Sequence, residues 1–325
     1  MTGIDVSRWE RFQILSLDGG GIKGLFAAAV LAAIEADLGL TVVESFDLIA
    51  GTSTGGIIAL GLGLGMRPRE IVDFYVEEGP RIFSNPLGWR AIQQLFFRKY
   101  SDKPLAAALK RCFGDRRFGE SNKRLIVTSF NLGEDDVYLF RTPHLPRLRR
   151  DYRVPAWEIA MATAAAPTYF QCARQIVGQR LIDGGVWANN PTMVALVEAH
   201  ELGAPPGATS VLNIGTSDPV VRRRPWLNSG GLLPWALSKA AIDVVLRGQS
   251  KAADNQAGHL LGRDKVLRLS PPVPESLYRL DDARATEDLI ASAAHHSRAV
   301  MPLIHEQFMS HRAPLYVPCS DQIGG

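Results

Sequence analysis

The stretch Ile49-Ala50-Gly51-Thr52-Ser53-Thr54-Gly55-Gly56-Ile57 constrains the fold of this chain more than any other. An apolar run containing Phe46, Leu48, Ile49 and Ala50 breaks at a glycine corner, and a second apolar run begins almost at once. A strand that turns so abruptly into a helix needs glycine on both flanks, because a Cβ at Gly51 or Gly55 would collide with the turn. Such a corner lifts the Ser53 hydroxyl clear of the backbone, as a nucleophile elbow does, and points the first amides of the next helix at the same spot. Those amides favour an anion there. A pattern this short also arises by accident; its place between an apolar strand and an apolar helix is the context it requires.

A second glycine corner comes earlier. Phe12–Leu17 reads as a strand, Asp18-Gly19-Gly20-Gly21-Ile22-Lys23-Gly24 as a loop, and Leu25–Leu38 as a helix. Gly19, Gly21 and Gly24 have the spacing of a dinucleotide fingerprint, with Glu44 about 20 residues further on. The same amides could instead cradle the charge that develops when a serine attacks a carbonyl. The Ser53 corner favours this oxyanion reading, since a dinucleotide fold has no use for it. Lys23 either brings positive charge to the loop or faces water as a first-turn lysine.

The third corner follows Arg180-Leu181-Ile182, where Asp183-Gly184-Gly185 places a carboxylate at the end of an apolar run. A functional carboxylate and a plain Asx turn fit this segment equally well. A serine nucleophile needs a base. A Ser-Asp-His triad of the α/β-hydrolase type could draw on His259, His295, His296, His305 or His311, none of which sits in a compelling loop. Alternatively Asp183 takes the proton itself, which requires a dry cleft, since an ordinary aspartate with a pKa of about 3.9 is a weak base.

Elsewhere the pattern predicts helices from Pro68 to Glu78, Pro155 to Ala165, Thr192 to His200 and Thr286 to Met309, the last broken near Pro302. Arg124–Phe130 and Val137–Arg141 read as a hairpin, and Ser210–Gly215 and Lys265–Leu269 as further strands. Gly88–Tyr100 is basic and amphipathic, a pattern that suits either core packing or an anionic lipid surface. Trp226–Arg247 suggests a lid or insertion rather than a sheet element. A single α/β domain over residues 1–325 is expected, with its core at about 12–215 and helical or lid elements at about 226–325.

A net charge of +3 gives no argument for DNA or RNA, and the clusters Arg147–Arg153 and Arg222–Arg224 read as solvated surface. Three scattered cysteines, Cys112, Cys172 and Cys319, form neither a disulfide framework nor a metal motif and suit a reducing, cytoplasmic compartment. The first ten residues lack the apolar region of a secretory signal. The apolar stretches Leu25–Ile34 and Ile57–Met66 fall short of the roughly 20 residues that a membrane span needs, so membrane contact is expected to be peripheral.

Taken together, Asp18–Gly24, Gly51-Thr52-Ser53-Thr54-Gly55 and Asp183-Gly184-Gly185 resemble, in identity and order, the motifs of the patatin-like phospholipase family. Ala165–Phe170 and Trp187–Pro191 look like further blocks of that family, so the resemblance runs from about Phe12 to Gly215. It implies a three-layer α/β/α fold with a central, mostly parallel sheet. It also implies Ser53 as nucleophile, Asp183 as sole base, an oxyanion hole from Gly19, Gly20, Gly21, Ile22, Lys23 and Gly24, and no metal or organic cofactor. The implied reaction is hydrolysis of phospholipid acyl esters through an acyl-serine, at the inner membrane surface. Within the family, the Asp183–Pro191 block looks like that of bacterial effectors switched on by a cyclic di- or oligonucleotide during phage infection. A homo-oligomer is compatible with this reading. The alternatives are an α/β-hydrolase esterase with a triad and a non-catalytic nucleotide-binding module using Gly19–Gly24.

Overall fold

The structure, a computed structural model, describes residues 9–83, 99–176, 178–216, 218–219, 240–270, 272–273 and 286–319. Strand β1 (Phe12–Leu17) passes through the glycine loop into α1 (Gly24–Leu38), and β2 (Leu48–Thr52) turns at Ser53 into α2 (Thr54–Gly63). Every residue of both strands is buried. Their alternation divides them between two cores, with Leu15, Leu17 and Ile49 on one face and Phe12, Ile14, Leu48 and Ala50 on the other. Strands apolar on both faces belong in a sheet covered by helices on both sides.

That is the arrangement observed. The chain continues through α3 (Pro68–Ile82), α4 (Asp102–Phe113), β3 (Arg124–Asn131), β4 (Asp136–Arg141), α5 (Ala156–Thr163) and β5 (Leu181–Asp183). It goes on through the single turn α6 (Gly185–Ala188), α7 (Thr192–Glu201), β6 (Thr209–Ile214), β7 (Asp218–Pro219), α8 (Ala240–Leu261), β8 (Val266–Leu269), β9 (Pro272–Val273) and α9 (Thr286–Ile304). The main sheet has the order β4-β3-β2-β1-β6-β8, with β5 also paired to β3. The inner pairs are parallel and β4 is antiparallel to β3. Helices α1 to α5 and α9 supply one core; α7 and α8 supply the other.

One detail of register positions the site. On the same flank of β3, β2 runs parallel and ends with Thr52 opposite Thr128, while β5 runs antiparallel and ends with Asp183 opposite Ser129. The two strands therefore meet head on, and the residues at their tips are neighbours despite lying far apart in sequence.

The expected hairpin, the 192–200 helix and the last strand are all present, and β8 pairs with β6 in the main sheet. Residues beyond 215 thus complete the sheet and one helical layer, which corrects the expected core boundary. The terminal helix is not broken at Pro302: it runs to Ile304 and then widens into a π-helical turn at His305–Met309. In the Arg147–Arg153 cluster, Arg147 pairs with Glu201, and Arg150 with Asp151. Residues 88–98 of the basic amphipathic stretch, 226–239 of the expected lid, and Arg222–Arg224 lie outside the described residues. Among the described residues no helix is long and apolar enough to cross a membrane.

Candidate active site

Ser53 sits in a strained backbone conformation, φ 56° and ψ −123°, at the corner between β2 and α2. A non-glycine residue so placed costs of order 1–3 kcal/mol and persists only where its surroundings fix it. Here they do. The Ser53 amide donates to Thr163 Oγ1 at 2.8 Å, and Thr163 in turn donates to the Thr128 carbonyl at 2.7 Å. A Cβ on Gly51 would stand 2.2 Å from the Gly55 carbonyl oxygen, and one on Gly55 would stand 2.2 Å from that of Leu17. Both glycines are therefore required by close approach. Thr52 Oγ1 donates to the Ala188 carbonyl at 2.6 Å, so the Thr128 hydroxyl, 2.7 Å away, donates to Thr52. Thr54 opens α2 and lines the cavity beside Ser53.

Asp183 arrives from the opposite direction at the tip of β5. The glycine after it passes so close to β3 that a Cβ on Gly184 would lie 2.1 Å from Thr128 Oγ1. The Gly185 amide donates to Asp183 Oδ1 at 2.7 Å, and the Ser53 side chain stands close enough to the same carboxylate to favour its ionised form. Burial pushes the Asp183 carboxyl up to about 6; the nearby Ser53 side chain and the Gly185 amide oppose that rise without cancelling it. A carboxylate in this state is a far better proton acceptor than one in water.

The glycine loop packs against both. The Gly19 amide donates to the Asn189 carbonyl at 2.9 Å and that of Lys23 to the Gly20 carbonyl at 3.3 Å, while the Gly24 amide turns back to Gly21 and Ile22. These three amides serve the fold, and the Ile22 side chain is buried in the core. Gly20 and Gly21 line the cavity. Lys23 is 2% exposed, so the water-facing alternative does not hold. At the head of the loop, Asp18 is ion-paired with Arg268 of β8 at 2.8 Å and accepts from Asn213 Nδ2 at 2.8 Å.

Ser53, Asp183 and the loop open on a cavity of about 440 Å³ whose wall is largely apolar, with Ile57, Phe74, Ile82, Phe83, Leu105 and Phe170 contributing. Leu246, Arg247 and Ser250 of α8 form another part of the wall. None of the seven histidines lines it. His144 is bound to Thr142 and Glu198, His311 to Asp47, and His295 and His296 lie on α9, where His296 faces Phe26. His200, His259 and His305 are exposed. Glu44, the acidic residue of the dinucleotide pattern, pairs with Arg312 at the surface.

Asn189 belongs to the Trp187–Pro191 block already noted; three further residues of the site, Thr163, Ser250 and Arg268, were not singled out in the sequence. Thr163 carried a faint signal as the polar residue ending an alanine-rich buried helix; the others become neighbours of the loop only through the sheet and α8.

Comparison with known proteins fits this arrangement. The family model described as patatin-like phospholipase matches residues 15–196, more than half of the sequence. The chain belongs to the patatin-like phospholipase family. Among members of that family, it is 31% identical to the cGAMP-activated phospholipase of Pseudomonas aeruginosa, over 96% of this chain and 95% of the relative. It is 36% identical to the cGAMP-activated phospholipase of Vibrio cholerae, over 64% of each chain. With patatin-like protein 1 of Arabidopsis thaliana it shares 34% identity, over 56% of this chain and 50% of the other. The patatin-like match ends before β6, so β8 and α8, which close the cavity, lie beyond it.

Proposed function

We propose that this patatin-like phospholipase hydrolyses acyl esters of glycerophospholipids with a Ser53–Asp183 dyad and is switched on by a cyclic dinucleotide. The observation that carries the catalytic part is Ser53 beside a buried Asp183 carboxylate in one cavity that no histidine lines. Asp183 takes the Ser53 proton as the serine oxygen attacks the ester carbonyl. The amides of Gly20 and Gly21, left by a loop that commits those of Gly19, Lys23 and Gly24 to the fold, receive the oxyanion together with the N-terminus of α2. Collapse of this intermediate expels the lysophospholipid alkoxide, which regains the proton from Asp183. Water then attacks the acyl-serine, Asp183 takes its proton, and collapse frees the fatty acid as Ser53 is reprotonated.

Activation is inferred from the relatives named cGAMP-activated phospholipases, one of which matches along nearly the whole chain. An enzyme that degrades its own cell's membrane from the cytoplasmic side must stay silent until signalled. The test is fatty-acid release from vesicles of bacterial lipid by the purified chain, with and without a panel of cyclic di- and trinucleotides. Release that needs one nucleotide and disappears in Ser53→Ala supports both parts. Release without any nucleotide removes the activation, and the absence of release under every condition removes the phospholipase reading.

A further inference from the structure

We propose that Arg247 binds the phosphate of the substrate headgroup and thereby sets a preference for glycerophospholipids over phosphate-free esters; this rests on the phospholipase reading above. Among the described residues the cavity wall carries three cations, Lys23, Arg247 and Arg268, and two carboxylates, Asp18 and Asp183. Arg268 is neutralised by Asp18. Lys23 is only 2% exposed. Arg247 differs from both: it is half-buried, and among the described residues no hydrogen bond or ion pair engages its guanidinium. A partly desolvated cation without a partner is unfavourable, and an anionic ligand relieves it.

Its position is fixed by its helix. Gln249 Nε2 donates to the Val186 carbonyl at 2.9 Å and Ser250 Oγ accepts from Asn189 Nδ2 at 3.0 Å, which pins α8 to the segment that follows Asp183. Residues three apart on a helix have Cβ atoms about 5–6 Å from each other, so Arg247 stands one turn from the Ser250 contact and on the same side. Most of the remaining wall surface is apolar and suits an acyl chain. In a glycerophospholipid the phosphate lies only a few bonds from the scissile ester. A planar guanidinium matches phosphate oxygens in a bidentate pair, which a lysine ammonium cannot reproduce.

The test compares kcat/KM on two substrates of equal acyl length: a short-chain phosphatidylglycerol kept monomeric, which removes any effect of surface charge, and the p-nitrophenyl ester. The full chain is used with whichever nucleotide gives the highest wild-type rate. Arg247→Gln is expected to lower the ratio of phospholipid to nitrophenyl-ester kcat/KM by about 10–100-fold, chiefly through KM, as for loss of one charge-assisted contact. Arg247→Lys should keep part of that ratio. An unchanged ratio, whether both rates fall together or neither moves, overturns the assignment while leaving the phospholipase reading intact. A wild type that cleaves only the nitrophenyl ester overturns both.

Discussion

Asp18 and Asp183 stand in the same local sequence, a buried strand ending in Asp-Gly-Gly, and they line the same cavity, yet the fold treats them in opposite ways. Asp18 receives the guanidinium of Arg268 on one oxygen and the Asn213 amide on the other. Asp183 receives a backbone amide and lies beside Ser53, but has no cation among the described residues, and burial raises its carboxyl to about 6. The first arrangement gives the carboxylate a cationic partner and anchors the glycine loop to β8. The second leaves a carboxylate poised to take a proton. What distinguishes a structural aspartate from a basic one here is the partner supplied from elsewhere in the fold, not the motif.

The sharpest way to break this contrast is kinetic. Ser53→Ala and Asp183→Asn should each lower fatty-acid release by about 10³-fold or more, and the double variant should be scarcely worse than either, as expected of groups that act as a unit. Each of the seven histidines should tolerate alanine without a comparable loss. Release by Asp183→Asn within tenfold of wild type, or one indispensable histidine, would return the triad to consideration.

The next two effects are on stability and carry opposite signs. Asp18→Asn leaves the Arg268 guanidinium without its carboxylate, a change that typically destabilises by about 3–5 kcal/mol. Urea unfolding should show that loss, and Arg268→Gln should match it. Asp183→Asn should instead stabilise. The folded carboxyl titrates near 6, above the unfolded value of about 3.9. The unfolded chain therefore ionises first, and folding is penalised as pH rises through that window. The penalty is absent below pH 4 and fully present above pH 6, where two pKa units amount to about 3 kcal/mol. The Asp183→Asn variant, whose amide never ionises, should gain part of that at pH 8 and none at pH 3.5. Equal signs for the two aspartates would dissolve the comparison.

A smaller effect tests the same carboxyl in the working enzyme. With Asp183 as base, kcat/KM should fall about tenfold per pH unit below an apparent pKa near 6 and level off above it. A profile still flat at pH 5 would mean that no group of this kind limits the rate.

Much of this site was legible because its conformational demands are local. The three glycine corners announce themselves within a few residues each, and their order alone marks the family. The partners of the corners were not legible. Thr163, which holds the strained Ser53 amide, looks like one more small residue in Met161-Ala162-Thr163-Ala164-Ala165. Arg268 follows a strand pattern that says nothing of which loop its side chain will meet. The head-on meeting of β2 and β5 depends on both strands pairing with the same flank of β3, and pairing choice is not written in periodicity. The expected boundary near 215 failed for the same reason: a short parallel strand such as β8 is recognisable alone, but its membership of the central sheet is a tertiary fact.

The smallest predicted effect concerns the joint between α8 and the motif residues. Asn189 touches three parts of the site at once. Its carbonyl accepts the Gly19 amide, its Nδ2 donates to Ser250, and its Oδ1 lies 2.6 Å from where a Cβ on Gly19 would stand and 3.2 Å from the same point on Gly185. Ser250→Ala removes one neutral hydrogen bond, worth about 0.5–1.5 kcal/mol, while leaving the cavity wall nearly unchanged in shape. If that bond only adds stability, urea unfolding will register it and kcat will not. If it positions the glycine loop, kcat should drop several-fold at constant KM, Ser250→Thr should restore most of it, and the pH profile should keep its midpoint because Asp183 is untouched. A midpoint that moves with Ser250 would instead tie α8 to the carboxyl itself, and Asp183 would then owe its state to a distant helix as much as Asp18 does to a distant strand.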